Sequence, residues 1–268
     1  MPFLSPAGPS LANYLGALTR HPRLLLLGAT ALLAACSDTT EPQASQTETT
    51  SPGYQRIDAR DPNDPLNASI YELDNGLKVY LTENHEEPRF YAEIAVRAGS
   101  KHDPADATGL AHYLEHLLFK GNQNLGTLDY EAEKPHLDRI TALYEEHFNA
   151  TDPARRAEIY AEINATAQQA AQYAVPNEID KLYNAMGGSG LNAHTSNEET
   201  VYKIGVPSNR LNQWAEIESD RFVNPVFRIF HTELETVYEE KNRSLDNRGF
   251  ILYTALNELM FKQHPYGQ

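Results

Sequence analysis

Gly109-Leu110-Ala111-His112-Tyr113-Leu114-Glu115-His116-Leu117-Leu118-Phe119-Lys120-Gly121 is the stretch from which the rest of the chain can be read. Its spacing predicts a helix over 110–120, ended by Gly121 at a left-handed cap position. On that helix His112 and His116 are four residues apart, so both imidazoles share one face, with Glu115 beside them. Zinc accepts imidazole nitrogens at about 2.0–2.1 Å, and two ligands from one turn fix half of its tetrahedron. Glu115, adjacent but not required as a ligand, can take a proton from water that the ion activates. The competing reading is a polar helix face turned to solvent. Leu110, Leu114, Leu117, Leu118 and Phe119 make the helix mostly apolar and argue against it.

A catalytic zinc needs a third protein ligand and an open position. On a helix predicted over 230–245, Glu233 and Glu240 stand seven residues, two turns, apart and border the apolar stripe around Val237. Glu235 and Glu239 point the other way. A glutamate-rich solvated helix remains the alternative for the pair. Cys36 is the single cysteine, so neither a Cys-based zinc site nor an intramolecular disulfide can be built.

Outward from these helices, Asp74-Asn75-Gly76 predicts a hairpin turn between Tyr71-Glu72-Leu73 and the run Leu77 to Leu81. Strands are expected over 90–98 and 192–206, and helices over 211–222 and 230–245. Residues 128–186 read as purely helical, with Asp152-Pro153 opening a helix and Ile159, Ile163, Ala167 and Ala171 at helical spacing. The order implies an α+β fold: a mixed, largely antiparallel sheet covered by helices, with no internal repeat.

The 268 residues are 41% hydrophobic and 22% charged, enough for one domain with appendages or two small ones. A net charge of −15 repels phosphate backbones, which disfavours nucleic acid, and attracts basic peptides. Arg20 and Arg23 precede an apolar run over 24–34, too short for a comfortable membrane span, that ends in Leu33-Ala34-Ala35-Cys36. This resembles a bacterial lipoprotein signal over 1–36, with Cys36 lipidated and Ser37 as an outer-membrane address. The alternative is a buried free cysteine in a hydrophobic helix. Residues 37–67, rich in Ser, Thr, Glu, Gln and Pro, read as a flexible tether, which leaves 68–268 as the folded domain. Asn67-Ala68-Ser69 matches a glycosylation pattern that a bacterial lipoprotein would not use.

Taken together, the inverted order His112, Glu115, His116 looks like the inverzincins, and its surroundings resemble the pitrilysin and insulinase family of metallopeptidases. Residues 109–121 match that family's motif helix. Leu191-Asn192-Ala193-His194-Thr195, with Thr200 and Tyr202, is similar to its active-site strand, and Glu233 to Glu240 to its acidic helix. The resemblance covers about Ile70 to the end. It implies a pitrilysin- or mitochondrial-processing-peptidase-like unit and a zinc endopeptidase acting on peptides or unfolded polypeptide in the bacterial envelope. It implies one Zn2+ held by His112, His116 and Glu240, Glu115 as general base, and Glu233 orienting a ligand or water. Asn192 and Ala193 would take the substrate as an added strand. The interval from His116 to Glu240 is longer than in compact members, and 128–186 looks like an insertion that supplies the difference. In the family, an arginine and a tyrosine from a distal half help to hold substrate. No counterpart is present here, so a missing C-terminal half or a partner subunit is expected to complete the site. Two other readings of the same residues stand beside this one: a non-catalytic subunit or peptide-binding module, and a structural zinc lipoprotein with His194 as fourth ligand.

Overall fold

The computed structural model describes residues 53–58 and 63–268. The chain falls into two compact units, 1–55 and 56–268. Of the first, Tyr54 and Gln55 are extended. The signal segment, Cys36 and most of the tether lie outside the described residues. In the second unit the chain is already engaged ahead of residue 68. Arg56 pairs with Asp58 at 2.7 Å and donates to Ser69 Oγ at 2.9 Å, and Asp58 accepts the Ile70 N–H at 3.0 Å.

The expected hairpin forms between β1 (Ser69–Leu73) and β2 (Lys78–Leu81), with Tyr71 opposite Val79. Gly76 takes φ +85°, which closes the turn after the N–H of Gly76 bonds to the Leu73 carbonyl at 2.8 Å.

A second antiparallel sheet holds β3 (Arg89–Val96), β4 (Ser189–Thr195) and β5 (Thr200–Pro207) in the order β3-β5-β4. The single strand expected over 192–206 is therefore a hairpin, with Thr195 opposite Thr200. Ser196 makes the reversal: its Oγ accepts the N–H groups of Glu198 and Glu199, and its own N–H bonds to the Glu199 carbonyl. The central strand β5 buries Tyr202, Ile204 and Val206 on one face; Ile204 and Val206 meet Ile179 and Tyr183 of α4 and Ile217 of α5, whose ranges follow, and Tyr202 packs against Phe119 and Phe222. Trp214 closes this core edge-on to Phe90 at 5.6 Å.

The helix of the opening stretch, α1 (Leu110–Leu117), is shorter than expected, and the chain leaves it through Gly121 at φ +99°. A Cβ there would meet the Leu125 carbonyl oxygen at 2.1 Å, so only glycine fits. At the other end Asp103 accepts the N–H of Gly109 at 2.7 Å and of Ala111 at 2.8 Å, satisfying donors that the first turn leaves free.

Residues 128–186 form α2 (Tyr130–Asn149), α3 (Pro153–Ala170) and, after a loop, α4 (Glu178–Ala185). Asp152 caps α3 as expected, accepting the Arg155 N–H. Leu143 of α2 packs with Ile159 and Ile163 of α3. Beyond Ile163 the inward face passes to Thr166 and Ala170, not Ala167 and Ala171, because 3.6 residues per turn drifts off a strict i+4 spacing.

The helices α5 (Leu211–Val223) and α6 (Phe230–Leu245) match expectation to a residue or so. A further helix, α7 (Arg248–Met260), went unforeseen; Asn247 caps it by accepting the N–H of Gly249 and Phe250, and none of its residues is buried. No helix among the described residues is long and apolar enough to cross a membrane. The α+β class, with helices on an antiparallel sheet, is as read from the sequence.

Candidate metal centre

The inward face of α6 and the polar face of α1 meet. His112 Nε2 and His116 Nε2 stand 3.4 and 3.5 Å from the same Glu240 oxygen, Oε2. The two imidazoles cross edge-on with centroids 4.9 Å apart. Ligand atoms of His112, His116 and Glu240 all lie within 4.8 Å of one another, and no further histidine, cysteine or carboxylate joins them among the described residues. Two neutral-capable imidazoles and one carboxylate, all partly exposed, fit a divalent zinc with a position left open. His194, the candidate fourth ligand, lines the same cavity but is outside the group.

The neighbouring residues orient this grip. Glu233, buried on α6, places Oε2 3.3 Å from His116 Nδ1 and Oε1 2.6 Å from Lys120 Nζ. A carboxylate on Nδ1 keeps the proton there and leaves Nε2 free to ligate. Tyr113, between the motif residues, donates its hydroxyl to the Phe230 carbonyl at 2.6 Å and so ties α1 to the start of α6. Burial, with a smaller push from the Glu233 charge, raises the Tyr113 hydroxyl to about 12, so it stays a donor at neutral pH.

Glu115 is 7% exposed and does not ligate with the other three; its Oε2 accepts the Thr195 hydroxyl at 2.6 Å. Thr195 lies at the end of β4, beside Thr200, whose hydroxyl donates to the Ala98 carbonyl at 2.8 Å. Asn192 and Ala193 sit earlier on β4, which is an edge strand, and line the same cavity as the metal grip. That cavity encloses about 790 Å³. Its wall includes Asn177, Ile179 and Asp180, at the start of α4, so the helical segment reaches the site. Of the site residues named from the sequence, His112, Glu115, His116, Asn192, Ala193 and Glu240 line this cleft, and Glu233 stands behind it against His116.

Several residues that build the site were not assigned that role from the sequence: Asp103, Thr195 as partner of Glu115, Lys120 as partner of Glu233, and Arg228. The Arg228 guanidinium, 2% exposed, bonds Glu133 of α2 at 2.9 Å and the carbonyls of Lys120, Asn122 and Leu125 at 2.8 to 3.0 Å. It therefore closes the loop that follows α1 against the chain entering α6. Of these, Lys120 had a local cue, one turn beyond His116.

Comparison with known proteins places this geometry. The chain is 22% identical over 204 residues to an uncharacterized zinc protease of Rickettsia felis, covering 75% of this chain and 37% of that protein. It is 24% identical over 197 residues to the peroxisomal insulin-degrading enzyme-like 1 of Arabidopsis thaliana, covering 72% of this chain and 15% of that one. Among solved structures, a protease from Helicobacter pylori superposes with a TM-score of 0.49 at 20% identity, over 81% of this chain and 38% of the other. The chain thus spans well under half the length of these relatives. The family model described as insulinase, peptidase family M16, matches residues 78–137 and 161–268, well over half of the sequence and including every metal-site residue described above. This chain belongs to the insulinase family, peptidase family M16.

Proposed function

We propose that this chain carries the catalytic site of a zinc-dependent endopeptidase acting on peptides or unfolded polypeptide segments. The observation that carries the reading is the meeting of His112, His116 and Glu240 at one point, with Glu115 beside them and outside the ligand set. A zinc ion held there supplies Lewis acidity toward a peptide carbonyl and the attacking water. Glu115 takes the proton from that water and delivers it to the departing amine. The Thr195 hydroxyl occupies one of its oxygens and steadies the other for this transfer. Glu233 holds His116 in the ligating tautomer. The free edge of β4 offers Asn192 and Ala193 to an extended substrate, whose backbone hydrogen bonds give affinity with little dependence on side chains.

The relatives' greater length supports a further part, downstream or in a partner subunit, that closes over the cleft. The run ending in Leu33-Ala34-Ala35-Cys36 and the polar stretch behind it support a protein lipid-anchored in the bacterial envelope, on the outer membrane facing the periplasm. Replacing Cys36 with serine then moves the protein from the membrane to the soluble fraction; continued membrane fractionation rejects the anchor.

The catalytic reading is tested with the full-length, zinc-loaded protein on a fluorogenic peptide library. Glu115→Gln is expected to keep its zinc and lose about 10²–10⁴-fold in rate. Full hydrolysis by that variant with zinc bound removes Glu115 from the mechanism.

A further inference from the structure

We propose that Tyr144, on α2, is a positioning residue for the metal centre: it holds His231 and thereby fixes where α6 begins and where Glu233 and Glu240 stand against α1. The inference rests on the zinc-site reading given above.

The helix α6 starts from a strained residue. Ile229 has φ +48° and ψ +27°, a left-handed conformation that a β-branched side chain resists. Such a conformation persists where its surroundings over-determine it. Here the surroundings come from the helical segment on both sides of Ile229. Just before it, Arg228 is buried against Glu133 of α2. Just after it, the rings of Phe230 and His231 stack at 4.9 Å and 14°, and the Tyr144 ring lies 5.3 Å from each. The Tyr144 hydroxyl contacts the His231 imidazole at both ring nitrogens, Nε2 being the nearer and Nδ1 2.9 Å away, and Tyr160 of α3 stands edge-on to the imidazole at 6.0 Å.

The braced point is wired directly to the metal grip. The Phe230 carbonyl receives the Tyr113 hydroxyl from the helix that bears His112 and His116, and Glu233 follows His231 by two residues. A small rotation of α6 about its first turn therefore moves Glu233 away from His116 and Glu240 away from both imidazoles. Residues 138–160, which contain both tyrosines, fall in the gap that the family model leaves unmatched. The two tyrosines of the brace thus come from the stretch that the family model leaves unmatched, and the residues they hold from the stretch that it matches.

The test uses the full-length protein with Co2+ as a spectroscopic probe and zinc competition against a chromophoric chelator. Tyr144→Phe keeps the ring and its packing and removes only the hydroxyl. It is expected to weaken zinc binding about tenfold, to change the cobalt visible band, and to lower kcat with KM unchanged. Adding Ile229→Gly, which adopts the left-handed conformation freely, is expected to bring affinity and spectrum back to within about twofold of wild type. An unchanged spectrum and affinity in Tyr144→Phe, or a loss that Ile229→Gly leaves untouched, overturns the proposal. Wild-type protein that takes up neither Co2+ nor Zn2+ overturns the metal-site reading first, and the brace with it.

Discussion

Glu233→Ala isolates the residue that stands between the metal ligands and the rest of the fold. One oxygen of Glu233 faces His116 Nδ1 at 3.3 Å and the other Lys120 Nζ at 2.6 Å, with side chains 11% and 16% exposed for Glu233 and Lys120. Removing the carboxylate leaves the Lys120 ammonium without a counter-charge and His116 without the acceptor that orients its ring. An exposed pair contributes about 0–1 kcal/mol, whereas breaking a fully buried one costs about 3–5 kcal/mol. With a residual tenth to sixth of each side chain in water, the loss of folding stability falls between, at about 2 kcal/mol. For zinc, loss of an outer-shell partner weakens binding about 10–100-fold, and Glu233 also controls Lys120, so the upper part of that range is expected. Glu233→Gln, which keeps an oxygen toward His116 but not the charge, falls near about tenfold. Competition with a chromophoric chelator at fixed pH reads the affinity, and urea unfolding of the metal-free protein reads the stability. Glu240→Ala, which deletes a ligand, must lose more than either, and Glu239→Ala, on the exposed face, must lose nothing. Zinc affinity of Glu233→Ala within about twofold of wild type refutes the orienting role. An equal loss in Glu239→Ala and Glu240→Ala refutes the assignment of the third ligand.

Thr195→Val is nearly isosteric and removes the hydroxyl's bond to Glu115 together with its longer contact to Thr200 at 3.3 Å; kcat is expected to fall about tenfold with zinc affinity intact, and an unchanged kcat refutes the steadying role. Arg228→Ala strands the fully buried Glu133 carboxylate and is expected to cost about 3–5 kcal/mol, read as a lowered denaturant midpoint. Pairing it with Glu133→Leu recovers part of that loss, whereas a single variant as stable as wild type shows the pair to be dispensable. Burial pulls the His231 pKa below the usual 6.5, against an opposing effect of Glu235. A lowered folded value means that the unfolded chain takes up the proton first as pH falls. The contribution to stability is therefore complete above about pH 6.5 and declines as pH drops through the folded value. His231→Gln should shrink the difference in urea midpoint between about pH 7.5 and about pH 5.5; a difference as large as in wild type refutes the assignment.

What the sequence made legible was what one element decides within itself. His112, Glu115 and His116 share a helix, so the 3.6-residue turn alone sets their mutual placement, and the structure keeps it. Glu240 could be narrowed to the inward face of α6 by periodicity, because Val237 marks that face. The hairpin at β4 and β5 was hidden because Ser196-Asn197-Glu198-Glu199 contains neither glycine nor proline, and the turn is made by a serine side chain. The helix α7 was hidden because none of its residues is buried, so no apolar stripe phases it.

Arg228 and Glu133 stand 95 residues apart, and charged residues of these types are ordinarily placed on the surface, so their burial as a pair is a tertiary fact. The same holds for Tyr144 and His231, 87 residues apart, which share no periodicity that a single sequence could display. The metal centre divides along this line. In the histidine half local helix geometry sets the spacing of the two imidazoles, and only the ring orientation of His116 draws on α6, through Glu233. The glutamate half depends on how α6 is launched from a strained Ile229, and that launch is held by distant side chains from α2 and α3. Substitutions in the helical segment should therefore act on Glu240 while leaving the spacing of His112 and His116 alone. That asymmetry is what a local motif joined to a tertiary brace must produce.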